Sequence, residues 1–170
     1  MVNLDAFFLG MGDTCILFED FDGMGPTLER YTHQRHLNDK TVDLIAQSQQ
    51  LYVHEYPVTV LIDKDAIDLS TLVKDFKAGT GMTVPRVHFT GANTAKAMLW
   101  AGHHRRAALA LHIDRINPNQ QPWTLYHQAL AKLKNDAENE ELLEQIATLK
   151  AKLVQAGTWG VKFYDRGKFI

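Results

Sequence analysis
The chain has 170 residues, 45% of them hydrophobic and 22% charged, with a formal net charge of −2. That length suits one folded domain and that composition an ordinary globular one, without the basic surface that general nucleic-acid binding would want. A single cysteine, Cys15, excludes an internal disulfide and a cysteine-rich zinc site. There is no apolar run long enough to span a bilayer and no basic-then-apolar leader, so a cytoplasmic or nuclear location is expected.

Residues Leu4 to Leu9 are apolar and expected to pack on the core, and Thr14 to Phe18 read as a strand. Asp20 to Pro26 is a loop by its Gly and Pro content. Its acids Glu19, Asp20 and Asp22 fit either a Mg²⁺ site or an acidic surface turn. Asn38 is a helix N-cap, and Val42, Ile45 and Ala46 give a helical face to about Val53. Pro57 opens a strand, Val58 to Ile62, whose run of Val, Thr, Val, Leu and Ile predicts burial on both faces. Ser70 or Asp68 would cap a second helix reaching Lys77, broken by Gly79 and Gly81. Val84 to Phe89 and Ala95 to Trp100 read as a hairpin turning through Gly91 and Asn93.

Pro118 and Pro122 end one helix and start another, whose stripe is Trp123, Tyr126, Leu130 and Leu133. Leu142, Ile146, Leu149 and Leu153 make residues 139–155 amphipathic. That face is expected to pack on the domain, a homodimer contact being the lesser alternative. Trp159 to Tyr164 alternates and reads as a last strand. The ending at Ile170, without a polar tail, suggests a domain cut from a longer protein.

The most informative stretch is Ala95 to His112. An apolar strand turns at Gly102 into a helix whose first turn holds His103, His104, Arg105 and Arg106. A helix N-terminus already carries about half a positive charge, so four cations there are unfavourable unless an anion joins them. Arg105 is the first candidate, because a guanidinium fork grips phosphate bidentately. Arg106 is equally well read as solvated or acid-paired, and the histidines as half-buried polar residues. Adjacent helical residues diverge by roughly 100°, so the two histidines are not expected to share a metal ion. His33, His36 and His54 have no spacing that assembles a site. Lys96 and Arg86 would line the same mouth or decorate an exposed hairpin.

Gly102-His103-His104-Arg105 followed by Ala108 resembles the Gly-x-His-Arg-x-x-Ala box of the ParB/sulfiredoxin-like superfamily. A looser upstream box, Arg35 to Ser48 and then Pro57 to Ile62, is similar to the segment preceding it there. Together the boxes span residues 35–115. The resemblance implies an α+β fold with a small mixed sheet, enlarged here by helices over 120–157 and a closing strand over 158–164. It implies a nucleotide (ATP, ADP or CTP), with Mg²⁺ as helper, held by Gly102, His103, His104, Arg105, Arg106 and Arg35. Hydrolysis or phosphoryl transfer would follow.

Departures narrow that expectation. His103 stands where sulfiredoxin-like members have their reducing cysteine, and Ala101 where kinase-like members have an aspartate. The DNA-partitioning branch carries an acid at the position of His103 and a basic helix-turn-helix afterwards, and both are missing here. A carboxylate for catalysis would have to come from Glu55, Asp63 or Asp65, working with His103, although strand-end solvation explains those acids equally well. The main alternative is a non-catalytic interaction module with a relic phosphate cradle; DNA or RNA binding comes last.

Overall fold
The computed structural model describes residues 4–21, 25–30, 36–48, 54, 56–77, 79–90 and 96–168. Five strands, β1 (Phe8–Cys15), β2 (Thr27–Arg30), β3 (Val58–Ile62), β4 (Lys96–Ala101) and β5 (Thr158–Asp165), form one mixed sheet in the order β1-β5-β3-β4-β2. Among the described residues four α-helices accompany it: α1 (Asp39–Ser48), α2 (His103–Ile116), α3 (Pro122–Leu133) and α4 (Glu140–Ala156). The class is α+β with a mixed sheet, as expected. Among the described residues no helix is long and apolar enough to cross a membrane.

β3 occupies the middle of the sheet, parallel to β5 and antiparallel to β4. Val58, Val60, Leu61 and Ile62 are buried and Thr59 partly so, as a run of β-formers in an inner strand requires. β5 is an inner strand rather than a closing edge, antiparallel to β1 and parallel to β3. Its expected alternation therefore gives way to burial on both faces, with Lys162 its one exposed residue. Phe163, Phe89 and Phe21 form a ring cluster in the core, Phe21 stacking on Phe89 at 4.8 Å.

Three local expectations are corrected. The first strand runs Phe8–Cys15, not Thr14 to Phe18; Ile16, Leu17 and Phe18 continue beyond it as buried chain. No helix follows Asp68. Its carboxylate instead caps a short 3₁₀ turn, Leu69–Thr71, after which Val73 exchanges two backbone hydrogen bonds with Met11. Among the described residues, 84–90 and 96–100 do not pair as a hairpin either. β4 pairs with β3 and β2, while Arg86 and Phe89 make isolated bridges to Asp13 and Ile67, and residues 91–95 lie outside those described.

The helix starts follow the sequence more closely. Asn38 Oδ1 accepts from the amides of Lys40 and Thr41 at the head of α1, whose expected extension over 49–53 lies outside the described residues. Asn139 Oδ1 caps α4 through the Leu142 amide at 3.1 Å. Leu142, Leu149 and Leu153 are buried and α4 packs chiefly on α3, so the face considered for a dimer is covered within the chain.

Candidate functional site
β4 ends at Ala101, opposite Thr59 of β3, and the chain turns at Gly102 with φ 105° and ψ 15°. That left-handed conformation favours glycine, and a Cβ here would lie 2.9 Å from Val58 Cγ2 and 3.2 Å from Val58 Cα. Glycine is thus what lets α2 start directly against β3. The Gly102 carbonyl accepts from the Arg106 amide at 3.0 Å, and no side chain from Gly102 caps the helix.

The four cationic candidates leave this start in different directions. His104 Nε2 accepts from the Asn38 amide at 3.1 Å, which ties α2 to the head of α1. Arg105 lays its guanidinium over the Tyr56 ring, 4.3 Å from the centroid, and burial lowers its pKa from the usual arginine range. An arginine starts so high that it stays charged there. Arg106 donates from Nε to the Ile16 carbonyl at 2.6 Å and from Nη2 to the Leu17 carbonyl at 3.2 Å. His103, its ring 4.3 Å from that of His104, faces a cavity.

That cavity, about 710 Å³, is the setting for any chemistry at the helix start. His103, Arg106, Ala107 and Ala110 line it from one face of α2. Trp123, Tyr126, His127 and Leu130 line it from α3, Lys150 from α4, and Leu17, Phe18, Glu19 and Asp20 from the chain after β1. The wall is aromatic and interlocked: His127 meets Trp123 edge-on at 4.3 Å, and Phe18 meets Tyr126 edge-on at 5.4 Å. Lys150 Nζ sits 5.2 Å from the Phe18 centroid. Burial raises the Tyr126 phenol above its usual pKa, and the Asp20 carboxylate adds to the shift.

Two non-glycine residues hold left-handed backbone beside this cavity, Phe21 at φ 60° after Asp20 and Gln121 at φ 40° before α3. Such conformations persist only where surrounding packing over-determines them. Phe21 is fully buried, which supplies that packing.

No family model, curated protein or solved structure matches this chain. The resemblance of the Gly102 box therefore rests on its residues.

Of the site residues named from sequence, His103 and Arg106 reach the cavity, while His104 and Arg105 turn to other neighbours. Arg35 and Glu55 lie outside the described residues. Asp63 stands at the far end of β3 from the Val58–Gly102 contact, roughly 16 Å away at strand rise. Asp65 follows it in the turn Lys64–Ala66. Lys96 begins β4, at the opposite end from Gly102, and Arg86 donates to Thr158 Oγ1 at 3.2 Å.

The carboxylates that do line the cavity are Glu19 and Asp20, read from sequence as a loop with no link to Gly102. Trp123 and Tyr126 were legible as an apolar stripe but not as a wall. His127 and Lys150 give no separate signal; only the neighbouring aromatic stripe points to them. Among the described residues no three His, Cys, Asp or Glu side chains converge as a metal site. Glu19 and Asp20 fit the usual protein share of a Mg²⁺ shell, one or two carboxylates completed by phosphate oxygens and water.

Proposed function
We propose that the chain binds a nucleotide in the cavity beside α2, through a strand–glycine–helix unit of ParB/sulfiredoxin-like kind. The observation that supports this best is the joining of an aromatic wall to a cationic helix start in one cavity of ligand-sized volume. The base would stack on the rings of Trp123 and Tyr126, and the phosphates would face His103 and the first turn of α2. Glu19 and Asp20 would repel bare phosphate, so binding should be stronger with Mg²⁺, which those two carboxylates would help to hold. If the site turns nucleotide over, His103 and Asp20 are the groups placed to accept a proton from the attacking hydroxyl or water.

The test is calorimetric titration with ATP, ADP, CTP and GTP, each with and without Mg²⁺. It is run on the native chain, Trp123→Ala, His103→Ala and Arg105→Ala. One nucleotide should bind, with affinity falling about tenfold or more in the first two variants, a loss of about 1.4 kcal/mol, and little in the third. A loss confined to Arg105→Ala would move the ligand to the Tyr56 side of the helix and overturn the cavity reading. No binding by any of the four would leave the second reading, a non-catalytic interaction module. Its support is the structural work already done by His104 and Arg106, which hold α1 and the end of β1 in place.

A further inference from the structure
A second cavity, about 300 Å³, shares no lining residue with the first. Its apolar lining comes from Phe8, Pro57, Val73 and Phe76 over the nearly buried Met11, and its polar groups are His54, Lys74 and Lys162. The floor is rigid. Met11 is paired on one side with Lys162 of β5 and on the other with Val73, through hydrogen bonds of 2.7 and 2.9 Å. Lys162 and the residue beside Lys74 therefore flank Met11 from opposite sides, their backbones roughly 10 Å apart at two strand spacings. His54 is held in place twice: its Nε2 donates to Asp13 Oδ1 at 2.7 Å, and its ring meets Phe76 edge-on at 5.3 Å. The charged residues that line the cavity itself, Lys74 and Lys162, are both cationic, and the Asp13 carboxylate stands behind His54.

We propose that this cavity is a binding site for a small organic carboxylate, its apolar body on Phe8, Val73 and Phe76 and its carboxylate facing Lys74 and Lys162, away from the Asp13 side of His54. An ammonium is a compact point charge that suits a single carboxylate, whereas phosphate recognition favours guanidinium forks and clustered backbone amides. The apolar lining would be wasted on a fully hydrated inorganic anion.

Sodium benzoate is the probe, titrated into the ¹⁵N-labelled full chain, with inorganic phosphate as the comparison. Benzoate should give saturable shifts at the Met11, Val73 and Lys74 amides and the His54 ring. Its affinity should fall about tenfold in the Lys74→Ala/Lys162→Ala double variant, a loss of about 1.4 kcal/mol. Both lysines are exposed, so that variant should keep the native spectrum elsewhere. The proposal is overturned if benzoate gives no saturable shifts, if the double variant binds it as well as the native chain, or if phosphate shifts the same resonances with equal affinity.

Discussion
Arg106 spends its guanidinium on the carbonyls of Ile16 and Leu17, where β1 gives way to buried chain. Hydrogen bonds from a charged donor are worth about 1.5–3 kcal/mol, and truncation would strand acceptors of two buried residues. Arg106→Ala should therefore lower unfolding stability by about 2 kcal/mol, read as a reduced urea midpoint at unchanged slope. Arg106→Lys should restore only part of it, since an ammonium cannot reach both carbonyls with a planar fork. An alanine variant as stable as the native chain would mean that those carbonyls find other donors. At this scale the sequence revealed which residues matter and hid what they do. The same roughly 100° divergence that argues against a shared metal ion also disperses four consecutive basic side chains to α1, to Tyr56 and to the cavity. Glycine at 102 was legible as a turn, but the reason for it, Val58 against its absent Cβ, lies 44 positions away in sequence.

α3 shows how one element is placed by another. Gln121 at its start supplies no side-chain cap, and Pro122 supplies no amide. Asp114 of α2 caps it instead, accepting from the Trp123 amide at 2.8 Å, the Thr124 amide at 3.1 Å and Thr124 Oγ1 at 2.5 Å. Losing a helix cap costs about 1 kcal/mol, and Trp123 stands in the turn that would fray. Asp114→Ala should therefore lower unfolding stability by that amount, read as a reduced denaturant midpoint, and weaken ligand binding at the Trp123 wall as well. A stability loss with unchanged affinity would show that Trp123 is held by its ring contacts alone. Elements with local signals, such as β3 and α4, were legible because proline, an asparagine cap and apolar patterning sit at or within them; α3 showed its proline and stripe but not its cap. β1 was not legible. Gly10 and Gly12 argue against a strand, yet a Cβ at Gly10 would come within 2.7 Å of Leu72 Cβ, and one at Gly12 within 2.2 Å of Val87 Cγ2. Residues 72–73 and 85–87 lie against β1 there. Those contacts also take the residues read as a helix and a hairpin away from those local structures.

For the whole molecule, the decisive fact is that β5, last in the chain, lies between β1 and β3. Such pairings join residues about 150 positions apart, as in Gly12 opposite Val161, and no local pattern announces them. β5's inner place buries Tyr164, and α3 buries Tyr126. Tyr164 in β5 and Tyr126 in α3 are both pushed above the usual tyrosine pKa, chiefly by burial, with Asp5 adding at the first and Asp20 at the second. A raised folded-state pKa means that the folded chain resists forming the phenolate while the unfolded chain does not. The resulting stabilisation is complete below the unfolded value of about 10 and is lost as pH rises from there through the higher folded values. Denaturant midpoints should therefore not respond to these two groups between pH 7 and about 9, and should fall above about pH 10. Tyr126→Phe and Tyr164→Phe should each flatten the alkaline decline, even where the lost hydroxyl changes stability at neutral pH. A decline as steep in the double phenylalanine variant as in the native chain would assign alkaline unfolding to other groups, with lysine deprotonation the first to examine.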